Sequence, residues 1–342
     1  MGILIAGGEL ILSRLNNENK LKFTYNPNPP LLVDKTYGIV PLPDTVVQAW
    51  LTFDNDLLIY DVKYSIDSLH RRITPFDTAI PRSKYALFFG CSFTFGEGVN
   101  DNQTLPFYFA KYYYQYHPYN YGYGGYGPQQ MLEKLKSPTI RQEVKEGEGI
   151  LVYTLIDCHI WRAIGSMRRH AGWAKDFPYY CIDDKDYLIR KGTFTTGRPF
   201  TAKIYSLLGK SEILKRFNIE IPWKLSDKHF ELFCRILLES KRLFKEKFAS
   251  DKFYVLIFPR SVLFKECLMP YFEKYKIEYF DYSQLDFKTL LEELSKEEYP
   301  REIKLYYKYD NHPTALTYQL LARQFVSDLK LRQSSNNCSL SQ

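Results

Sequence analysis

Three short stretches hold residues whose types and spacing could move an acyl group. The first, residues 90–98 (GCSFTFGEG), sets Ser92 in a glycine-bounded turn directly after an apolar run. A serine there can act as a nucleophile, and flanking glycines allow a tight turn and close substrate approach. The commoner role of a loop serine is to cap the next helix. The second stretch, residues 120–127 (NYGYGGYG) before Pro128, has a glycine density that exposes backbone N–H groups able to bind an oxyanion. Taken alone, it reads as a glycine-rich turn with no ligand. The third, residues 309–313 (YDNHP), puts Asp310 two positions before His312. That pattern suits a base and the carboxylate that fixes its tautomer and stabilises its cation. A surface histidine near an aspartate is common; the chain order serine, glycines, histidine at strand ends is what gives the pairing weight.

Such groups need a scaffold that brings strand ends together. Residues 85–89 (YALFF), 150–155 (ILVYTL) and 253–258 (FYVLIF) are short continuous apolar runs, as buried parallel strands would be. A further strand is expected over 277–280, and helices over 105–116, 229–248 and 314–329. Strands alternating with helices indicate an α/β fold whose parallel sheet is covered on both faces. In an open sheet of this kind ligands bind beyond the carboxyl ends of the strands, where Ser92 falls. Residues 1–82 read as a β-rich extension after a short apolar segment, its clearest strand signal being the alternation over 58–73. The main domain spans 83–330. Within it, residues 163–228 interrupt the alternation with aromatics, Gly and Arg, as an inserted cap would. The polar tail from 331 to 342 is expected to be disordered.

The 342 residues are 45% hydrophobic and 25% charged, values of a globular chain with a substantial core. The 46 Lys+Arg against 39 Asp+Glu give a net charge of +7, and the charges are interspersed. Basic clusters at 241–247 and at Arg168–Arg169 read as solvated faces, and no nucleic-acid-binding signature accompanies them. No nucleic-acid partner is therefore expected. The six cysteines lack metal-ligand spacing and form no evident disulfide framework. The 29 Tyr and 24 Phe suit a sugar-facing surface or reflect compositional bias. Residues 1–15 are mostly apolar, but Glu9 and Arg14 interrupt them and the run is shorter than the roughly 20 residues of a membrane span. This segment ending near Leu15 reads either as a short packed helix or as the end of a membrane anchor. The location leans to the cell envelope and leaves the cytoplasm open.

From about Tyr85 to Leu329 the chain resembles the SGNH (GDSL-like) hydrolase superfamily, a group of esterases, deacetylases, lipases and acyltransferases. The resemblance rests on GCSFTFGEG, NYGYGGYG and YDNHPTA. It implies a three-layer α/β/α flavodoxin-like sandwich with a parallel central sheet. It also implies Ser92 as nucleophile, His312 as base with Asp310 behind it, and an oxyanion hole from the backbone at Ser92 and Gly125. No metal or organic cofactor is implied. Three departures stand out. Cys91 replaces the Asp of GDSL, which makes Cys91 a second candidate nucleophile. The carboxylate precedes His312 by two residues where three is commoner, a spacing that some relatives share. Finally, the family's oxyanion-hole Asn gives way to LIDCHIWR, with Asp157 nearest in register. An ionised Asp would repel an oxyanion. Either Asp157 is neutralised by Arg162, or His159 acts as donor with Asp157 beside it, or turnover is weak. The resemblance implies hydrolysis of a small-molecule or glycan ester, O-acetyl groups among them. The alternatives are a polysaccharide O-acyltransferase and a non-catalytic binding protein on a degenerate scaffold.

Overall fold

The computed structural model describes residues 21–54, 57–294, 300 and 302–339, with side chains to 335 in the last stretch. The apolar segment ending near Leu15 lies outside the described residues. No described helix is long and apolar enough to cross a membrane.

The centre is a five-stranded sheet of β6 (Lys84–Phe89), β7 (Tyr116–Asn120), β8 (Glu148–Leu155), β11 (Phe253–Ile257) and β12 (Glu278–Asp281). Its order is β12-β11-β8-β6-β7 and every neighbouring pair is parallel. Successive side chains of a strand point to opposite faces, so each strand feeds two cores. Tyr85, Leu87, Phe89, Leu151, Tyr153 and Val255 enter one core, with Leu132 of the helix Pro128–Lys136 and Phe233 and Phe244 of the helix Asp227–Phe248. Ala86, Phe88, Val152 and Leu256 enter the other, with Phe109 of the helix Leu105–Tyr112 and Tyr318 and Phe325 of the helix Ala315–Ser339. Burial on both faces is why these strands read as unbroken apolar runs. The result is the expected three-layer sandwich.

Three local expectations are corrected. The helix expected over 105–116 ends at Tyr112, and β7 (YHPYN) follows it. β7 is an edge strand, where Pro118 is tolerated and apolar continuity is not required. The strand expected over 58–73 stops at Ile66 as β5 (Leu57–Ile66), because the Asp67 carboxylate accepts the N–H groups of Leu69 and Arg71 and turns the chain. The last helix runs on to Ser339 instead of dissolving after Leu329. Gln333 tethers it there, accepting from the Tyr113 hydroxyl at 3.0 Å and donating to that of Tyr116 at 3.2 Å.

The N-terminal part is β-rich: β1 (Leu21–Asn26), β4 (Thr45–Phe53) and β5 form an antiparallel sheet, and β2 (Leu31–Asp34) pairs with β3 (Gly38–Pro41). Val47, Ala49, Leu51, Tyr60, Val62 and Tyr64 make up its inner face, which packs on Phe95, Tyr123 and Tyr307. Phe95 and Tyr123 belong to the serine and glycine stretches, and Tyr307 lies two residues before the histidine stretch. In the segment 163–228, β9 (Pro178–Ile182) pairs antiparallel with β10 (Leu188–Thr193), and Ala174, Phe177 and Phe194 form a small core with Tyr126. Both additions to the sandwich therefore rest on the loops at the carboxyl end of the sheet.

Candidate active site

The serine turn is built from β6 outward. At Gly90 the backbone has a φ of +150°, and a side chain would collide with the hydroxyls of Thr94 and Thr154. Those hydroxyls bond each other, and that of Thr154 donates to the Phe89 carbonyl at 3.1 Å. Ser92–Phe95 then forms one helical turn, closed by Gly96 in the left-handed region at φ +88°. Two side chains hold this turn in place. Asn120, at the end of β7, donates to the carbonyls of Thr94 (3.1 Å) and Phe95 (3.4 Å) and accepts the Gly122 N–H (3.1 Å). Arg72 is buried and donates to the carbonyls of Phe95 and Gly96 (both 2.7 Å) and Val99 (2.6 Å), with Asp101 at 3.0 Å as its ion partner. A cation is favourable where a helical turn leaves carbonyls without partners.

The histidine sits in a tight loop before the last helix. Tyr307 N–H donates to the His312 carbonyl at 2.9 Å and Asn311 N–H to that of Tyr307 at 3.0 Å. Tyr309 and Asn311 both take positive φ, 75° and 61°. Outside contacts fix this conformation. The Tyr307 hydroxyl donates to the Gly98 carbonyl at 2.7 Å, and Phe53 of β4 stacks on Tyr309 with ring centroids 3.9 Å apart.

These two supports bring the sequence-identified groups together. Ser92 Oγ lies 2.9 Å from His312 Nε2, and His312 Nδ1 lies 2.7 Å from Asp310 Oδ2. With Nδ1–H donating to the carboxylate, Nε2 is free to accept the serine proton. The Ser92 and Asp310 side chains are nearly enclosed, while the His312 ring is 17% exposed, open to a substrate. Cys91 packs in the core under the turn at 1% exposure, so it has no route to a substrate.

The glycine stretch lies against the serine turn. A Cβ on Gly122 would come within 2.6 Å of the Thr94 Cβ and 2.7 Å of the Phe95 nitrogen. Gly125 has a φ of +79°, and a side chain there would strike the indole of Trp173. The segment 163–228 thus reaches the glycine stretch through Trp173.

The structure corrects the readings of Asp157, His159 and Arg162. The Asp157 carboxylate accepts the N–H groups of Leu263 (3.2 Å) and Phe264 (3.4 Å). Burial raises its pKa despite those bonds. It forms neither the Arg162 nor the His159 pair, because the chain after β8 enters the helix Cys158–Ala163 and carries those side chains inward. Arg162 is buried and donates from Nη1 to the Tyr126 carbonyl at 2.8 Å, so it braces the glycine stretch from beneath. His159 is fully buried, its Nδ1 hydrogen-bonded with the Tyr153 hydroxyl at 2.7 Å. Burial, and then Arg162, push its pKa well below the usual range. A neutral ring inside the core cannot serve as a donor at the mouth of the site.

Sequence reasoning missed Arg72, Asn120, Trp173 and Glu97. Glu97 had a signal, being the charge inside GCSFTFGEG. Its Oε1 accepts from the hydroxyls of Tyr64 (3.2 Å), Tyr25 (3.4 Å) and Tyr60 (3.4 Å). Asn120 also had one, as the first residue of NYGYGGYG with the Gly122 N–H as a local partner, whereas Arg72 and Trp173 show nothing local because their partners lie on distant parts of the chain.

No family model matches the sequence, and no curated protein matches it. Among solved structures, it is similar to one described as a lipolytic protein of the G-D-S-L family from Desulfitobacterium hafniense, at 14% identity and a TM-score of 0.37 over 71% of this chain and 98% of that one. It is also similar to an acetyl xylan esterase from Butyrivibrio proteoclasticus, at 10% identity and a TM-score of 0.40 over 83% of this chain and 68% of that one. A third, a member of the G-D-S-L lipolytic family from Veillonella parvula, shares 14% identity with a TM-score of 0.37 over 71% and 97%.

Proposed function

We propose that this protein is a serine esterase or deacylase that hydrolyses acyl esters. The observation that carries the reading is the unbroken hydrogen-bond chain Ser92–His312–Asp310, at 2.9 and 2.7 Å. Ser92 Oγ attacks the ester carbonyl carbon as His312 Nε2 takes its proton, and Asp310 stabilises the imidazolium. Backbone N–H groups of Ser92 and Gly125 receive the oxyanion. Collapse breaks the bond to the alcohol oxygen, which leaves with the proton from His312. Water then attacks the acyl-enzyme, giving its proton to His312, and the acid departs as Ser92 is regenerated. No step calls for a metal or an organic cofactor. The substrate is a small-molecule or glycan ester. Transfer of the acyl group to a sugar hydroxyl in place of water would use the same groups. The main argument for a degenerate binding scaffold was an anionic Asp157 in the oxyanion hole. That carboxylate is occupied by the backbone N–H groups of Leu263 and Phe264, which counts against this alternative.

The test is labelling of the folded protein with a fluorophosphonate. Label is expected on the intact chain and absent from Ser92→Ala and His312→Ala. A folded intact chain that takes no label would sink the reading. In steady state with an O-acetyl ester, a rate that requires an added sugar acceptor would identify a transferase.

A further inference from the structure

The N-terminal sheet and the serine turn line a cavity of about 350 Å³. Tyr25, Tyr64, Phe95 and Tyr123 give it aromatic walls, Gly124 lies at its rim, and Glu97 is its charged group. Three features link it to the reacting groups. Phe95 belongs to the same helical turn as Ser92, the Glu97 N–H donates to the Ser92 carbonyl at 2.9 Å, and Gly124 precedes Gly125 in the glycine stretch. The volume is at the small end of the roughly 300–1,000 Å³ typical of ligand sites, room for one or two sugar-sized rings.

Glu97 determines what the cavity can hold. The residue is 9% exposed, and all three tyrosine donors fall on Oε1. Oε2 receives none of them, which leaves an acceptor oxygen at the cavity wall. A carboxylate facing a cavity interacts poorly with an alkyl chain, so an occupant that donates a hydrogen bond to it is favoured. An anionic occupant would be repelled by Glu97. For a cationic one the pull of Glu97 is offset by the Arg72 guanidinium, which does not line the cavity but lies 4.5 Å from the Tyr64 ring centroid and 4.8 Å from that of Phe95. What remains is a neutral molecule with an apolar face for the rings and hydroxyls for the carboxyl. A sugar ring has both, since its C–H face packs on tyrosine while its hydroxyls donate.

We propose that this cavity binds a neutral sugar ring, the alcohol part of the ester cleaved at Ser92, with Glu97 Oε2 accepting its hydroxyls. The assignment rests on the esterase reading for its link to catalysis, but binding can be tested without it. The probe is methyl β-D-glucopyranoside, observed by saturation-transfer NMR on the Ser92→Ala protein. Saturation transfer is expected there and is expected to fall about tenfold or more when Glu97→Gln is added, as when a hydrogen bond to a charged group is lost. Gly124→Leu gives an independent check that does not touch the buried carboxyl. A Cβ at Gly124 meets nothing within 4 Å, so the side chain grows into open space at the cavity rim and should exclude the sugar. No transfer to folded Ser92→Ala would overturn the proposal, as would transfer undiminished in both variants. Displacement by tetramethylammonium would overturn it too, in favour of a cation site. Absence of fluorophosphonate labelling would count against the esterase reading alone, whereas a labelled enzyme that shows no sugar binding would count against this cavity alone.

Discussion

Asp310 holds His312 by Nδ1 at 2.7 Å, and that contact selects the tautomer able to take the serine proton. Asp310→Asn keeps the size of the group but offers an N–H to the ring, which favours the wrong tautomer. A folded Asp310→Asn protein should lose about 10³–10⁴ in kcat toward an acetyl ester, with KM changed far less. Asp157 provides the contrast. Were it a defective oxyanion donor, Asp157→Asn would raise kcat by something near 10²–10³. Its carboxylate instead ties down the Leu263–Phe264 backbone, so Asp157→Asn should leave kcat nearly unchanged and cost about 1 kcal/mol in chemical denaturation. A large gain in rate would return Asp157 to the oxyanion hole. The two residues also mark what a sequence can show at this scale. That Ser92, His312 and Asp310 come together was legible because a serine, a histidine and a carboxylate in a workable chain order fall at the ends of the predicted elements. Asp157 was misread because its register at the end of β8 says nothing about which way the following turn carries a side chain.

The parallel strands β6, β8 and β11 were legible as elements because burial on both faces demands unbroken apolar runs. β7 was not, since an edge strand is free of that demand and YHPYN carries two polar residues and a proline. The strongest coupling between elements was likewise invisible, because it joins residues far apart in sequence. Arg72 follows β5 and closes the serine turn by bonding the carbonyls of Phe95, Gly96 and Val99. Arg72→Met fills much of the space but leaves those carbonyls and Asp101 without their cation. Urea denaturation should show a loss of about 3 kcal/mol, because breaking a buried ion pair strands its partners. Fluorophosphonate labelling under native conditions should slow as well, because the turn that aims Ser92 loses its closure. Stability lost with no change in labelling rate would restrict Arg72 to the core. The stack of Phe53 on Tyr309 makes the same point for the histidine loop, whose positive φ angles need support from β4.

At the scale of the whole molecule, burial makes three histidines harder to protonate in the fold. His159 lies inside the sandwich, His170 in the segment 163–228 and His229 at the start of the long helix Asp227–Phe248, and desolvation lowers the pKa of each. In the unfolded chain each would titrate near 6.5. Below that pH the unfolded state binds protons that the fold takes up less readily, so these groups lower stability as the solution is acidified; above it they contribute no slope. Glu97 works in the opposite sense, because burial raises its pKa and its charging above about 4.5 costs the fold stability. The two effects overlap in mildly acidic solution, so the midpoint of the intact chain alone cannot separate them, and a difference between proteins can. His159 is the most enclosed of the three and faces only the Tyr153 hydroxyl and the positive Arg162, so it should supply close to the full single-group slope of about 1.4 kcal/mol per pH unit below pH 6.5. His159→Gln keeps a hydrogen-bonding partner for Tyr153 and removes the titration. Urea denaturation of both proteins from pH 7.5 to 5.0 should give curves that run parallel above pH 6.5 and converge below it as the intact chain loses stability faster. Curves parallel over the whole range would mean that His159 takes up its proton in the folded state. The layer between β8 and the long helix would then have to admit a second cation beside Arg162, which a core this closed should not allow.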